Sequence, residues 1–229
     1  MRERAPGHAF ESLLERAGVA NSLRTALAQY GTLVLEANRG FNLTGAKSPE
    51  ALVAHLVDSL TAVPYMREPY VDVGSGAGFP AIPIAIVTGV PVTLIEATAK
   101  KAAFLESTLE RLNLRGTVVP QRAESAGQAG DFRERFASGT ARALASAMTV
   151  AELLLPLIAV GGIAVLQRGR IDDSERGALE DAALVLGGHI ESESTLDGER
   201  RIILVRKDRA TPPRFPRRIG IPAKRPLCT

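Results

Sequence analysis

The sequence predicts an α/β protein in which a mostly parallel sheet of seven strands is covered by helices on both faces. Three observations lead to this prediction. Segments typical of strands and of helices alternate from Tyr70 onward, and a glycine-rich loop directly follows the first of these strands. The last two predicted strands are separated by Asp197-Gly198, a pair typical of hairpin turns. Repeated strand–helix units favour parallel pairing, and the closing hairpin adds an antiparallel edge strand.

The order of the elements follows from hydrophobic spacing. Strands are expected where short apolar runs occur, and helices where apolar residues recur three or four positions apart. The predicted strands cover residues 70–73, 92–96, 117–121, 141–144, 163–167, 190–194 and 201–206. The predicted helices between them cover residues 80–87, 99–112, 150–158 and 174–186.

A helical extension is expected before the sheet, because apolar residues recur at helical spacing over residues 10–17 and 23–37. A further helix should begin after Ser48, whose hydroxyl can cap it, with Pro49 at the first helical position. Leu52, Leu56, Leu60 and Val63 would form the buried stripe of that helix.

The length of 229 residues suits one well-buried domain with a modest extension. We expect a helical extension packed on the core over residues 1–68, a core domain over residues 69–207, and a basic tail over residues 208–229. No apolar run is long enough to cross a bilayer, and the first residues lead into no signal-type apolar segment, so we expect a cytoplasmic protein.

The most informative segment is the loop with glycines at positions 74, 76 and 78. Three glycines in five positions let the backbone turn sharply and approach a ligand closely. Dinucleotide enzymes use the spacing G-x-G-x-x-G, whereas this chain has Gly74-x-Gly76-x-Gly78 with Asp72 two positions before it. This variant favours S-adenosylmethionine over NAD. A carboxylate at Asp72 could hold the loop amides and a ligand's ammonium group, but it would repel a pyrophosphate.

Polar residues at the ends of the other predicted strands are candidate ligand contacts, because ligands of such sheets bind at the carboxyl ends of the strands. Glu96 ends the second strand and is placed to accept hydrogen bonds from both hydroxyls of a ribose. Ala123 and Glu124 follow the third strand, where an adenine edge could meet a backbone amide and a carboxylate. Arg142 lies in the fourth strand as either a partly exposed core-edge side chain or a phosphate or base contact.

Several other chemistries are disfavoured. Methylation of an exocyclic amine would require an Asn/Asp/Ser-Pro-Pro-aromatic turn after the fourth strand, and none occurs there. Methylation at a pyrimidine carbon would require a thiolate nucleophile, and the lone Cys228 lies outside the predicted fold. His55, Asp58 and Ser59 resemble a hydrolase triad in composition, but no G-x-S-x-G elbow presents a serine. The three histidines are too far apart to suggest a metal site.

Basic residues are concentrated at the end of the chain. From Arg206 onward there are eight basic residues and one acidic residue, a net charge of +7, which leaves −4 for residues 1–205. Such a segment suits contact with phosphates, although a solvated, disordered terminus would have the same composition. The candidate RNA contacts are Arg214, Arg217, Arg218, Lys224 and Arg225.

The motifs together resemble the RsmG family, also called GidB. The resemblance rests on Asn42–Gly45, His55–Leu60, Asp72–Pro83, Arg122–Glu124, Ala141–Ala143 and the pattern Pro216-Arg217-Arg218-x-Gly220-x-Pro222-x-Lys224. The family comprises bacterial methyltransferases that act on guanine N7 in the 530 loop of 16S ribosomal RNA.

The resemblance implies a Rossmann-like class I methyltransferase domain over residues 69–207 with S-adenosylmethionine as its cofactor. It also implies that the cofactor meets Gly74, Phe79, Ala123, Glu124 and Arg142. Gln167-Arg168 stands where a Lys-Gly pair is expected, so a lysine contact there is in doubt.

Guanine N7 has an in-plane lone pair and carries no proton. Direct attack on the sulfonium methyl group therefore needs no general base and no covalent intermediate, and positioning suffices. We expect Arg142 to border both the cofactor and the acceptor, with His55 and Asn42 closing over the pocket.

The expected partner is 16S ribosomal RNA or the small ribosomal subunit, and we expect a monomer. Two alternatives stay open at this point. One is an NAD-dependent oxidoreductase, and the other is a non-catalytic RNA-binding protein with a vestigial cofactor loop.

Overall fold

A computed structural model describes residues 6–142, 145–196 and 199–228. Three helices come first: α1 (Pro6–Arg16), α2 (Asn21–Gly40) and α3 (Pro49–Leu60). The Ser48 hydroxyl accepts a hydrogen bond from the amide of Ala51 at the start of α3, as the predicted cap requires. Within these residues no helix is long and apolar enough to span a membrane.

A single sheet of seven strands follows. The strands are β1 (Tyr70–Val73), β2 (Val92–Ile95), β3 (Gly116–Val119), β4 (Phe136–Arg142), β5 (Ile158–Arg168), β6 (Gly188–Thr195) and β7 (Arg201–Lys207). Their order across the sheet is β3-β2-β1-β4-β5-β7-β6, with β7 antiparallel to both β5 and β6. This confirms the predicted fold class. The order reverses between β1 and β4, and the site belongs at the carboxyl ends of these two strands.

Six further helices accompany the sheet in the described part of the chain: α4 (Ala81–Thr88), α5 (Ala99–Arg111), α6 (Ala123–Gln128), α7 (Ala147–Leu154), α8 (Asp173–Leu186) and α9 (Ile221–Lys224). Every residue of β1 is buried, because apolar clusters cover both faces of the sheet. One cluster lies against the N-terminal helices and α4, and the other lies against α7 and α8. A central strand buried on both faces has to be apolar throughout, as Tyr70–Val73 is apart from Asp72.

Two sequence predictions placed strands wrongly. The fourth strand begins at Phe136 instead of residue 141, and the predicted end at residues 143 and 144 lies outside the described residues. Residues 136–142 look unlike a strand because the five residues between Phe136 and Arg142 are all small. The structure explains Gly139 among them, since a Cβ there would lie 2.8 Å from side-chain atoms of Leu154 and Ile158.

The fifth strand is also longer than predicted, and it contains an excursion at Gly161, whose φ is +83°. Pairing with β4 passes from Phe136 opposite Ile158 directly to Ser138 opposite Ile163. The hairpin between β6 and β7 is present, but its predicted turn at Asp197-Gly198 lies outside the described residues.

The basic tail is packed against the core. Phe215 is 4% exposed, and the Arg133 guanidinium donates hydrogen bonds to the carbonyls of Thr211 and Phe215. The Gln128 amide donates to the carbonyls of Pro213 and Pro216. These contacts rule out a solvated tail, the alternative that charge alone left open.

Candidate active site

The glycine loop joins β1 to α4 and is held from two sides. Gly74, Gly76 and Gly78 have φ values of +68°, +56° and +99°, which residues other than glycine rarely adopt. The Gly76 amide donates to Glu96 Oε2 at 2.8 Å, and the buried Tyr30 hydroxyl of α2 donates to the Ala77 carbonyl at 2.6 Å. The loop is therefore preformed by contacts with β2 and with the N-terminal helices.

A cavity of about 520 Å³ opens between this loop and the carboxyl ends of β1, β2 and β4. Among the predicted cofactor contacts, its walls include Gly74, Gly76, Phe79, Glu96, Ala123, Glu124 and Arg142. Asp72 and Gly78 do not reach the cavity. The structure thus brings most of the predicted cofactor residues to one place, and whether they bind a cofactor stays a prediction.

Gly78 has a packing role. A Cβ on this residue would lie 2.6 Å from Ile82 Cγ1 and 2.9 Å from the Tyr30 hydroxyl. Its lack of a side chain allows α4 and α2 to pack against the loop.

Asp72 lies beneath the loop, with 1% of its surface exposed. Its Oδ1 accepts a hydrogen bond from the Thr140 hydroxyl at 2.6 Å, whereas Oδ2 is buried without a hydrogen-bond partner. Burial raises the pKa of Asp72 to about 7. The loop amide that the sequence assigned to Asp72 is held instead by Glu96, because Gly76 points its N–H toward β2.

Glu96 directly follows β2 and accepts two backbone hydrogen bonds. Gly76 donates to Oε2 at 2.8 Å, and Thr98 donates to Oε1 at 2.7 Å. Each carboxylate oxygen has a further lone pair, and the side chain lines the cavity. The arrangement leaves Glu96 able to accept hydrogen bonds from a diol.

Glu124 lies at the other end of the cavity, in the first turn of α6. It is 3% exposed and accepts hydrogen bonds from the Arg122 guanidinium and from the Gly220 amide of the tail. Burial raises the pKa of Glu124, but the Gly220 amide and Arg122 outweigh it, and the net pKa lies below the usual value. The carboxylate is therefore ionised near neutral pH.

Arg142 ends β4 and stands between two cavities. Its Nη1 lies 3.2 Å from Asp58 Oδ2, and its guanidinium lies over the Phe79 ring at 5.0 Å from the centroid. A second cavity of about 670 Å³ shares Arg142 and Thr44 with the first. Its other walls are Ala54, His55, Asp58, Ala145, Gln167, Arg168, Gly169, Arg200 and Arg201.

His55 lines the second cavity, with its ring centroid 5.7 Å from that of Phe79. Burial, followed by the neighbouring Arg142 charge, lowers the pKa of His55, so the imidazole is neutral near pH 7. Ser59 is fully buried and donates its hydroxyl hydrogen to the His55 carbonyl. The resemblance to a hydrolase triad is therefore one of composition only.

Asn42 is exposed and lines neither cavity. Its neighbour Thr44 lines both, because the Asn38 side chain accepts hydrogen bonds from the amides of Leu43 and Thr44 and fixes this segment. Thr44 was missed as a candidate, although the motif that contains it was recognised. Asp58 was considered as part of a triad and within the His55–Leu60 motif, but its ion pair with an arginine 84 positions away has no signal in one sequence.

The predicted RNA contacts of the tail differ in their environments. Arg214, Arg218, Lys224 and Arg225 are exposed. Arg217 instead forms a forked ion pair with Glu152, a residue of α7 that is 0% exposed. The guanidinium of Arg217 is occupied by this pair, so its surroundings favour a structural role.

The cavities contain no metal centre among the residues described, since no group of three or more histidine, cysteine, aspartate or glutamate side chains is arranged to hold an ion. The chemistry that these side chains offer is binding and orientation.

Comparisons with known sequences assign the chain to a family. The family model for "rRNA small subunit methyltransferase G", GidB, matches residues 23–203. The chain belongs to this family. A relative from Chloroflexus aggregans, named ribosomal RNA small subunit methyltransferase G, is 42% identical over 83% of this chain and 84% of its own length. A relative of the same name from Leuconostoc citreum is 34% identical over 96% of this chain and 98% of its own length.

Solved structures share the fold at low sequence identity. The mitomycin 7-O-methyltransferase MmcR covers 89% of this chain and 69% of its own, with a TM-score of 0.56 and 14% identity. A mutant of MtNAS in complex with S-adenosylmethionine covers 87% and 84%, with a TM-score of 0.53 and 16% identity. The likeness concerns the architecture of the sheet and its helices.

Proposed function

We propose that this protein transfers a methyl group from S-adenosylmethionine to N7 of a guanine in the 530 loop of 16S ribosomal RNA. Membership of the family of rRNA small subunit methyltransferase G supports an rRNA methyltransferase. The observation that carries the proposal is the pair of cavities that meet at Arg142 and Thr44, because methyl transfer needs a donor and an acceptor held side by side.

The first cavity fits S-adenosylmethionine, which supplies an electrophilic methyl group when bound. Glu96 would accept hydrogen bonds from the ribose hydroxyls, and Ala123 and Glu124 would hold the adenine edge. Gly74 and Gly76 leave the backbone of the loop open to close approach. We propose Phe79 as an apolar wall, with Asp72 supporting the loop from below.

The second cavity suits a guanine nucleotide. Arg142, Arg168, Arg200 and Arg201 line it, and Asp58 forms ion pairs with Arg142 and Arg200. Arginine donors match the acceptor groups of guanine, and carboxylates match its donors. We propose that Arg142 and the neutral His55 orient the base, and that Asn42 contacts the RNA at the rim.

No residue has to remove a proton in this reaction, because N7 of guanine carries none. The lowered pKa of His55 keeps the imidazole neutral, so it adds no charge beside Arg142. Holding donor and acceptor in a reactive arrangement can lower a barrier by roughly 7–11 kcal/mol. Positioning by a rigid loop and a tethered arginine is what the described residues provide.

The partner we propose is 16S ribosomal RNA, free or within the small ribosomal subunit, and the exposed cations Arg214, Arg218, Lys224 and Arg225 are the proposed RNA contacts of the tail. Arg217 would serve this surface by holding the tail in place. We further propose that the protein acts as a monomer in the cytoplasm, with the division at residues 68 and 207 given above.

The proposal is tested with purified protein, S-adenosylmethionine labelled in the methyl group, and isolated small subunits or 16S RNA. We expect the label to appear as N7-methylguanine in the RNA. We expect calorimetry to detect binding of S-adenosylmethionine but not of NAD. Binding of NAD alone would support an oxidoreductase, and RNA binding without label transfer would support a non-catalytic RNA-binding protein. Either result would overturn the proposed function.

A further inference from the structure

The C-terminal segment, residues 208–228, reaches the wall of the first cavity, which we propose as the site of S-adenosylmethionine. The amide of Gly220 donates a hydrogen bond to Glu124 Oε1 at 2.9 Å, and Glu124 lines that cavity. Gly220 has a φ of +78°, which turns the chain just before α9. A backbone group of the tail is therefore one of the groups that orient a side chain of the cavity.

The same segment is attached to the helix that begins at this wall. Glu124 stands in the first turn of α6, and Gln128 at the other end of α6 donates to the carbonyls of Pro213 and Pro216. Pro216 packs on Gly127, where a Cβ would lie 2.8 Å from its ring. Both ends of this short helix thus depend on the tail.

A buried ion pair holds the tail in register. Glu152 of α7 is 0% exposed, and both its oxygens accept hydrogen bonds from the Arg217 guanidinium. The Arg217 amide donates to the same carboxylate at 2.8 Å, and the Thr149 hydroxyl donates to the Pro222 carbonyl. These contacts lie on either side of Gly220 and leave its amide little freedom to move away from Glu124.

We propose that the tail is a positioning element of the cofactor site, in which the Gly220 amide sets the orientation of Glu124. The inference rests on the proposed function, since it takes Glu124 as a contact of S-adenosylmethionine. It assigns the tail a role that is independent of its charge. Removing the Gly220 amide would leave the Glu124 carboxylate with partners from its own turn of chain, chiefly the half-exposed Arg122.

The test compares two truncated chains. The first ends after Arg218, which removes Gly220 and α9 but keeps the Arg217–Glu152 pair and the buried Phe215. The matched control ends after Arg225, which keeps Gly220 and also carries a new terminal carboxylate. Calorimetry without RNA measures the dissociation constant for S-adenosylmethionine, so the result does not depend on which guanine is methylated.

We expect the chain ending after Arg218 to bind S-adenosylmethionine about tenfold more weakly, because a hydrogen bond to a charged group is lost. The control should stay within about twofold of the full chain. Equal affinity in both truncated chains would overturn the inference.

A second variant separates positioning from general loss of structure. In a Glu124→Ala background the truncation after Arg218 should have no further effect on affinity, because the two changes act through one contact. A tenfold loss in that background as well would show that the tail acts only on stability and would overturn the inference. Full affinity of Glu124→Ala in the intact chain would overturn the cofactor role of Glu124, while label transfer to RNA would still test the proposed function.

Discussion

Arg142 lines both cavities and stands between them. It touches the Asp58 carboxylate on one side and the Phe79 ring on the other, and both cavities include it in their walls. The sequence pointed to Arg142 as an arginine in a small, apolar strand. It could not indicate Asp58 as its partner, because an ion pair between residues distant in sequence depends on the fold.

We predict that Arg142→Ala lowers kcat for methyl transfer by about 100-fold, the size expected when a reacting pair is slightly misplaced. Arg142→Lys keeps the charge but loses the planar fork of the guanidinium, and its kcat should lie between those of the parent chain and Arg142→Ala. Single-turnover label transfer to 16S RNA measures the step. Unchanged transfer by Arg142→Ala would contradict the role of this residue.

Asp72 carries a prediction about stability and pH. Burial raises its pKa to about 7, whereas an unfolded aspartate titrates near about 3.9. The folded protein therefore holds a proton that the unfolded chain has released between about pH 4 and pH 7. The contribution of Asp72 to stability falls as pH rises through this window, by up to about 4 kcal/mol.

Asp72→Asn should flatten this pH dependence, because the amide stays neutral and can still accept the Thr140 hydrogen bond. Denaturant unfolding at pH 5 and pH 8 measures the difference between the variant and the parent chain. The exposed Asp173→Asn is the control and should behave as the parent does. A steeper fall with pH in Asp72→Asn than in the parent would contradict the buried, protonated aspartate.

At the scale of elements, most of the fold could be predicted from the sequence. Four elements agree with their predicted positions to within one or two residues: the strands at Tyr70–Val73 and Val92–Ile95 and the helices α5 and α8. Helix α3 begins where it was predicted but ends at Leu60, although its predicted stripe extended to Val63. These elements have clear apolar spacing or caps. Local signals of this kind survive in a single sequence because the physical cause lies within the element.

Elements whose conformation depends on distant packing were predicted poorly. Strand β4 consists mostly of small residues, and Gly139 is required by the close packing of Leu154 and Ile158. Helix α6 has six residues and is held by the tail through Gln128. In both cases the determining contact comes from another part of the chain.

Gly78→Ala tests the packing of the loop against α2 and α4. We expect a loss of about 2–4 kcal/mol in the free energy of unfolding, from a φ of +99° and from close approach to Ile82 and the Tyr30 hydroxyl. Gly89→Ala is the matched control, because its φ is +69° and a Cβ there would meet no atom within 4 Å. It should lose only about 1 kcal/mol. Equal losses in urea unfolding would contradict the packing role of Gly78.

At the scale of the whole molecule, the two cavities and Arg218 of the basic tail lie on the side of the carboxyl ends of the parallel strands. The first cavity lies at these ends, and the tail packs on α6, which begins there. The net charge of +3 hides this arrangement, because the excess of positive charge is confined to the last part of the chain. Counterion release from RNA makes contacts of such a surface sensitive to salt.

We predict that Arg218→Gln reduces the slope of log K for RNA binding against log salt by about 0.7, the value for one phosphate contact with a single strand. Arg111→Gln is the control, since Arg111 ends α5 and is exposed at the opposite end of the sheet. Titrations of a fluorescent 530-loop RNA at several salt concentrations measure both slopes. The same slope for Arg218→Gln and the parent chain would show that Arg218 does not contact an RNA phosphate.

We propose that the glycine loop and the tethered Arg142 serve methyl transfer to one guanine of ribosomal RNA. The most direct measurement is a map of N7-methylguanine in 16S ribosomal RNA from cells with and without the gene for this protein. We predict that one methylated guanine, in the 530 loop, is present with the gene, disappears without it, and returns with the intact gene but not with Arg142→Ala. An identical map in cells with and without the gene would contradict the proposed function.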